Sequence, residues 1–464
     1  MFLEIINIIK AINFSRITLK IEYTKNKSKL VEKYLKEKIE IIVDTIRKRI
    51  PDTISIIMGG GFGKGEGSVV VKNKEVILIN DFDMYVVAKK EYNEDIINDI
   101  AQEASRKIGK KGISSFIKFN KNRPLLKDFF YIDLKVIPYD YLKKLPPMVK
   151  YYDLRNSSKI VYGKNTLNEI PDFKPNNLPV AEGARLLLNR MSHLVQHFYS
   201  SFFTKNVREC DHQIFLLHTI KTYTDACGAL LILSKKYEPT YSKRVDVFKK
   251  TYLKDFPELK KLIPEYVEKI KEFTELKINF NLGAYKKKDL ELWKQSRNYI
   301  GISTKYFFEK FLGKKINNYY DLSKAIEKSA IKYYNPYIKY ILKRKFKLNI
   351  NNKYILGLGS IVAHIYMNFL YFNRMKEGHN KLYIRGLFRI KPPELTFFSA
   401  LPLILFSLKH NGKVNLKMLE DGKRILQKVY PVNVKNEGDD LKYWEDIASV
   451  YSNAYVLFAF LKLK

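Results

Sequence analysis

The chain reads as an α/β N-terminal domain with a mixed sheet, followed by a largely α-helical C-terminal region. Three observations predict this. Up to Ile137, short apolar strand-like runs are interleaved with amphipathic helical patterns. Prolines then cluster between Pro146 and Pro179, including Pro147, Pro171 and Pro175. Beyond Pro179, apolar residues recur at helical spacing almost to the end. At 464 residues the chain is too long for one ordinary core. The divisions expected are an extension at 1–27, the α/β domain at 28–175, a helical domain at 176–348 and a second helical bundle at 349–464.

Within the first domain, Leu30, Tyr34, Leu35, Ile39, Ile42, Val43 and Ile46 predict a helix over Lys29–Ile50, ended by Pro51. Thr53–Met58 is a short apolar strand, followed by glycines. Val69–Val71 and Val76–Ile79 predict a hairpin turning at Asn73-Lys74. Asp81–Ala88 is the next strand. Asn93–Ile108 is a helix with Ile96, Ile97, Ile100 and Ala101 inward, and Ile113–Phe119 and Phe129–Ile137 are further strands. In the second half, helices are expected at Ala181–Tyr199, Ile214–Lys235, Pro257–Leu276, Leu290–Leu312, Leu322–Phe346, Ile355–Phe372, Pro393–Leu408 and Tyr443–Phe460.

The formal charge is +36, from 84 basic and 48 acidic residues. Residues 1–150 contribute +10 and the rest +26, so the excess is spread along the chain and not held in one tail. Such a balance favours a general affinity for anions over a dedicated nucleic-acid surface. Cys210 and Cys227 are the only cysteines, which gives no disulfide framework and suits a reducing, cytoplasmic setting. Met1–Phe14, interrupted by Glu4 and Lys10, does not read as a signal peptide. Tyr354–Asn373 carries no charge, but its Gly357, Gly359, Ser360, His364 and Asn368 favour a buried bundle helix, so no membrane span is expected.

Two segments carry the chemistry. Gly59-Gly60-Gly61-Phe62-Gly63-Lys64-Gly65-Glu66-Gly67-Ser68 has the composition to turn backbone amides toward phosphate. Its spacing excludes the P-loop, the dinucleotide fingerprint and the kinase glycine loop. In Asn80-Asp81-Phe82-Asp83-Met84-Tyr85-Val86-Val87, strand alternation puts Asp81, Asp83 and Tyr85 on one face and the apolar residues on the other. Two carboxylates so placed repel unless a cation sits between them. Asp133 has the same setting, opposite the buried row Phe130, Ile132, Leu134 and Val136. Three converging carboxylates plus triphosphate oxygens suit hard ions, chiefly two Mg²⁺, with Mn²⁺ as the alternative. Asp133, on the acceptor side, is the candidate general base.

At these residues the chain resembles the DNA polymerase β-like nucleotidyltransferase superfamily, over about residues 28–165. Gly60-Gly61 matches its glycine turn, Asp81-x-Asp83 its paired acids and Asp133 its third acid. The glycine segment is also similar to that of the protein-modifying uridylyltransferases, although no His-Asp phosphohydrolase signature follows. The resemblance implies a domain that binds two Mg²⁺ through Asp81, Asp83 and Asp133, and a nucleoside triphosphate through Gly60 and Gly61. Lys64 is expected to reach phosphate, Ser68 to donate to it, and Glu66 to be structural. One departure is the long link from Gly61 to Asp81, which holds the hairpin.

The expected activity is transfer of a nucleoside monophosphate, AMP from ATP first, to a hydroxyl of a small-molecule, protein or RNA acceptor, with release of pyrophosphate. The alternative is a non-catalytic nucleotide- or RNA-binding module. RNA would use Lys324–Lys353, where nine Lys/Arg are interleaved with Tyr333, Tyr334, Tyr337 and Tyr340. Cys210, His212, His218 and Cys227 lie at helical angles that cannot converge on zinc. Arg374 and His379 have the R-x4-H spacing of helical ribonuclease toxins, a spacing common by chance.

Overall fold

The structure, a computed structural model, describes residues 22–112, 129–345, 347–350, 352–374 and 391–459. The strand-like segment 113–119 and His379 lie outside the described residues. Helix α1 (Lys29–Arg49) leads to β1 (Thr53–Met58), the short helix α2 (Gly60–Gly63), and strands β2 (Val69–Lys72), β3 (Glu75–Leu78) and β4 (Phe82–Ala88). Then come α3 (Glu94–Lys107), β5 (Lys111–Gly112), β6 (Phe129–Phe130), β7 (Ile132–Pro138), α4 (Val149–Ser157) and β8 (Lys159–Gly163).

The main sheet has the order β7-β4-β1-β8. Strands β4 and β7 run parallel, while β1 is antiparallel to both its neighbours, so the sheet is mixed. One face packs Ile56, Met58, Phe82, Met84, Val86 and Leu134 against α1 and α3. The other face packs Tyr85, Val87 and Ile137 against Leu142, Leu145 and Leu154. The acids belong to this second face. Asn93 caps α3 by accepting from the Asp95 N–H at 2.9 Å. Ile96 departs from its inward expectation and is 43% exposed, because it precedes the turns carrying Ile100, Ala101 and Ala104 into the core.

The hairpin turns where expected, with Asn73 and Lys74 both at positive φ. Its strand β3 serves two cores. Val76 and Leu78 join the sheet's core, whereas Ile77 and Ile79 join the core of the helical half. Period-two alternation thus makes the inserted hairpin a wedge between the two halves. Strand β8 and helix α4 lie inside the proline-rich stretch, and β8 completes the sheet beside β1.

The helical half contains α5 (Val180–Gln196), α6 (Ser201–Thr204), α7 (Glu209–Leu233), α8 (Tyr241–Asp255), α9 (Pro257–Leu262), α10 (Tyr266–Ile278) and α11 (Asp289–Leu312). It continues with α12 (Tyr319–Lys328), α13 (Ala330–Lys345), α14 (Lys353–Arg374), α15 (Pro393–Ser407), α16 (Leu416–Leu426) and α17 (Asp440–Ala459). The run expected at Pro257–Leu276 breaks near Pro264, and the one at Leu322–Phe346 breaks at Ser329. One continuous apolar cluster reaches from Leu178 to Phe458. Helix α14 differs from the expectation of a buried helix, since its Tyr354, Leu358 and Val362 are exposed.

Candidate active site

The acids meet at the start of two parallel strands. Register places Asp83 directly beside Asp133, with Asp81 two residues ahead of Asp83. Neighbouring strands lie about 4.8 Å apart, so the two carboxylates project side by side from one face. Among the described residues, no hydrogen-bond donor serves the Asp83 carboxylate. Burial, then the charges of Asp81 and Asp133, push its carboxyl up to about 7, against the opposing pull of Lys135 and Lys221.

The glycine turn sits directly on this corner. Gly59 N–H donates to the Asp83 carbonyl at 2.8 Å, tying the end of β1 to β4. Gly60 has φ +57°, and a Cβ there would overlap the Asp83 carboxylate. Only glycine satisfies both conditions. Gly61 lies against Asn80, where an added Cβ would be 3.2 Å from Oδ1. Phe62 turns inward onto Phe82, edge to face at 4.9 Å, and fixes the turn to the core.

Lys64 and Ser68 lie elsewhere than at an open phosphate site. The Lys64 ammonium is buried and pairs with Asp153 on α4 at 2.5 Å. Ser68 is buried, its hydroxyl donating to the Lys277 carbonyl on α10. Glu66 is structural, as expected: its carboxylate accepts from the N–H groups of Tyr241 at 2.7 Å and Ser242 at 3.0 Å, at the start of α8. These contacts join the glycine segment to the helical half.

Three lysines near the acids were not singled out in the sequence. Lys135 lies two residues beyond Asp133 on the same strand face, and its ammonium bonds Asp133. That i, i+2 spacing on one strand was a readable signal. Burial alone would lower this ammonium, but Tyr85, Asp133 and Asp83 outweigh it and hold the proton firmly. Lys221 on α7 and Lys277 on α10 come from the helical half. Lys277 is 1% exposed and donates to Asn80 Oδ1 at 2.6 Å, while Asn80 Oδ1 also accepts from Ser68 N–H at 2.8 Å. Burial and then Lys221 lower the Lys277 ammonium to about 7, with Asp81 and Glu66 opposing.

The Cys/His residues of α7 do not gather, but a different histidine cluster forms beside them. His212 pairs with Asp289 at 2.6 Å, and Cys227 is buried, so the Cys/His set stays apart. His218 instead meets His193 and His197, and their ligand atoms all lie within 4.8 Å of one another. The rings of His197 and His218 are stacked at 4.0 Å and 15°, so their in-plane lone pairs do not point at a common ion. Among the described residues no other three His, Cys, Asp or Glu groups approach as closely. The carboxylates of Asp81, Asp83 and Asp133 do not approach one another this closely, and the Lys135 ammonium bonds Asp133. Two open depressions of about 500 and 510 Å³ lie elsewhere, one beside Arg297 and Tyr319, the other beside Val70 and Asn281.

In the basic segment, Tyr333 and Tyr334 are buried, Tyr337 donates to Glu182, and Tyr340 donates to the Lys144 carbonyl. Those tyrosines face the protein, leaving Lys332 and Lys339 outward. No family profile, curated protein or solved structure matches this chain.

Proposed function

We propose that the chain is a metal-dependent nucleotidyltransferase of the DNA polymerase β-like type, moving a nucleoside monophosphate from a triphosphate to an acceptor hydroxyl. The observation that carries this reading is the pairing of Asp83 with Asp133 in parallel register beneath Gly60. A buried carboxyl raised to about 7 by its neighbours is a site that gains from a cation. The donor set is all oxygen, which fits Mg²⁺ or Mn²⁺. Asp81 and Asp83 would hold two such ions and Asp133 the one on the acceptor side. When bound, the ions supply charge neutralisation at the triphosphate and lower the acceptor hydroxyl's pKa.

The chain's own residues do the rest. Gly60, lacking a Cβ, lets the Asp83 carboxylate lie against the turn at which the triphosphate would bind. Asp133 receives the proton of the acceptor hydroxyl, whose oxygen attacks the α-phosphorus. The α–β phosphoanhydride bond breaks, and its electron pair leaves with pyrophosphate. Lys221 brings positive charge from the helical half to this corner and takes the phosphate-facing role expected of Lys64, while Lys277, bound to Asn80 and Ser68, braces the turn. Lys135 holds Asp133 in place and keeps a counter-charge behind the acids.

The test is incubation with α-labelled or γ-labelled ATP, Mg²⁺ and cell extract. Transfer of the α-label alone, lost in Asp81→Asn and Asp83→Asn, supports the reading. Salt-sensitive RNA binding that survives both substitutions, with no α-label transfer in any extract, would replace it with the binding-module alternative.

A further inference from the structure

Helix α14 buries Leu356, Met367, Tyr371 and Phe372 in the core and carries a second apolar row outward. A helix on the surface of a water-soluble domain turns its apolar side inward and its polar side to solvent. Here Ser360, His364 and Asn368, spaced four apart on one face, are 0%, 2% and 0% exposed. They face protein partners: Ser360 hydrogen-bonds the Asn335 side chain of α13, and Asn368 Nδ2 donates to the Lys391 carbonyl at 3.1 Å. The opposite face shows Tyr354, Leu358, Val362, Ile365, Tyr366 and Phe369 to solvent, each between 43% and 72% exposed. A stripe of this kind marks an interaction surface.

Charge identifies the occupant. Between Glu327 and Glu377 there is no Asp or Glu, while ten Lys/Arg fall in that interval. Lys332, Lys339 and Lys347 are exposed on or just after α13, the helix packed against α14. A polyanion recognised by stacking would need the segment's tyrosines, and Tyr333 and Tyr334 are buried. What remains outward is lysine beside a continuous apolar stripe, the pattern that seats a helix on an anionic bilayer. The uncharged stretch Tyr354–Phe372 is long enough to cross a membrane, but its polar row is occupied by protein. Only one side is free to meet lipid.

We propose that the α13–α14 face docks on a membrane surface containing anionic lipid, with α14 lying in the interfacial plane. Its apolar stripe would enter the acyl boundary and the lysines of α13 would meet lipid phosphates. The full chain should float with vesicles of phosphatidylcholine plus phosphatidylglycerol and far less with phosphatidylcholine alone. Leu358→Asp with Val362→Asp should weaken partitioning at least about tenfold, with an unchanged melting temperature because both positions are exposed. Lys339→Glu with Lys343→Glu should remove the preference for anionic vesicles. Absence of flotation, or flotation unaffected by the Asp pair, would overturn the proposal. So would a wild-type dimer that the Asp pair makes monomeric without any vesicle binding, or RNA binding lost in that variant without flotation.

Discussion

Two sets of carboxylates lie on the side of the α/β domain that meets the helical half, and their surroundings are opposite. Asp153 Oδ2 accepts from Lys64 at 2.5 Å, Arg244 at 3.1 Å and the Tyr237 hydroxyl at 3.3 Å. Glu66 accepts two backbone N–H groups. Asp83, by contrast, has two like charges and no donor among the described residues, and its carboxyl rises to about 7. The first set is paired, through Asp153 Oδ2 and the Glu66 carboxylate, and holds the two halves together. The second is unsatisfied and asks for a cation. Residue type alone does not separate structural acids from chemical ones; the partners do.

That contrast can be broken in several ways. Asp153→Ala should have the largest effect on stability, about 3–5 kcal/mol, because it leaves Lys64 and Arg244 buried without their counter-charge. Chemical denaturation measures it, and a loss under about 1 kcal/mol would mean that the network is not structural.

Asp83→Asn should reduce α-label transfer on the order of 10²–10³-fold while leaving metal-free stability at pH 8 equal or higher. The sign follows from proton linkage. The folded carboxyl sits at about 7 against an ordinary 3.8, so the metal-free fold holds a proton that the unfolded chain releases. Wild-type stability relative to Asp83→Asn should therefore fall as pH rises from about 4 to 7 and then level. For the same reason, apparent Mg²⁺ affinity in calorimetric titrations should tighten up to about pH 7 and flatten beyond it. A pH-independent affinity would sink the assignment of Asp83 as a ligand.

Gly60→Ala should cost about 1–2 kcal/mol through its left-handed backbone alone, and should further lower activity by displacing the Asp83 carboxylate. Gly61→Ala should be milder, because its Cβ would meet Asn80 Oδ1 at 3.2 Å and the Glu66 carbonyl at 3.4 Å without overlap. Equal losses in parallel melts and assays would argue against a close fit at Gly60. The smallest effect expected is for Glu66→Gln, about 1 kcal/mol from weakening the charged cap on α8, with transfer activity retained.

Much of the α/β domain was legible because its signals are local. Helix α1, strand β1 and the Asn73-Lys74 turn follow from periodicity and turn chemistry within a few residues. The apolar rows beside Asp83 and Asp133 follow in the same way. Strand β8 was missed because Lys159-Ile160-Val161-Tyr162 is short and set among prolines. Helices α8 and α16 were missed because basic residues interrupt each apolar row, Phe248 and Tyr252 in one case, Met418, Leu419 and Leu426 in the other. The single run over Leu322–Phe346 concealed the break at Ser329, which keeps helical spacing on both sides.

The sequence by itself determined which strand face Asp83 and Asp133 occupy and where the glycine turn falls, since alternation and turn preference act between near neighbours. Only the tertiary structure decided what those residues meet. Lys277 reaches Asn80 across 197 positions and Ser68 across 209, and α14 turns its polar row inward where Asn335 of α13 and the Lys391 carbonyl offer it partners. Contacts of that separation depend on how whole elements pack, and no local pattern encodes them.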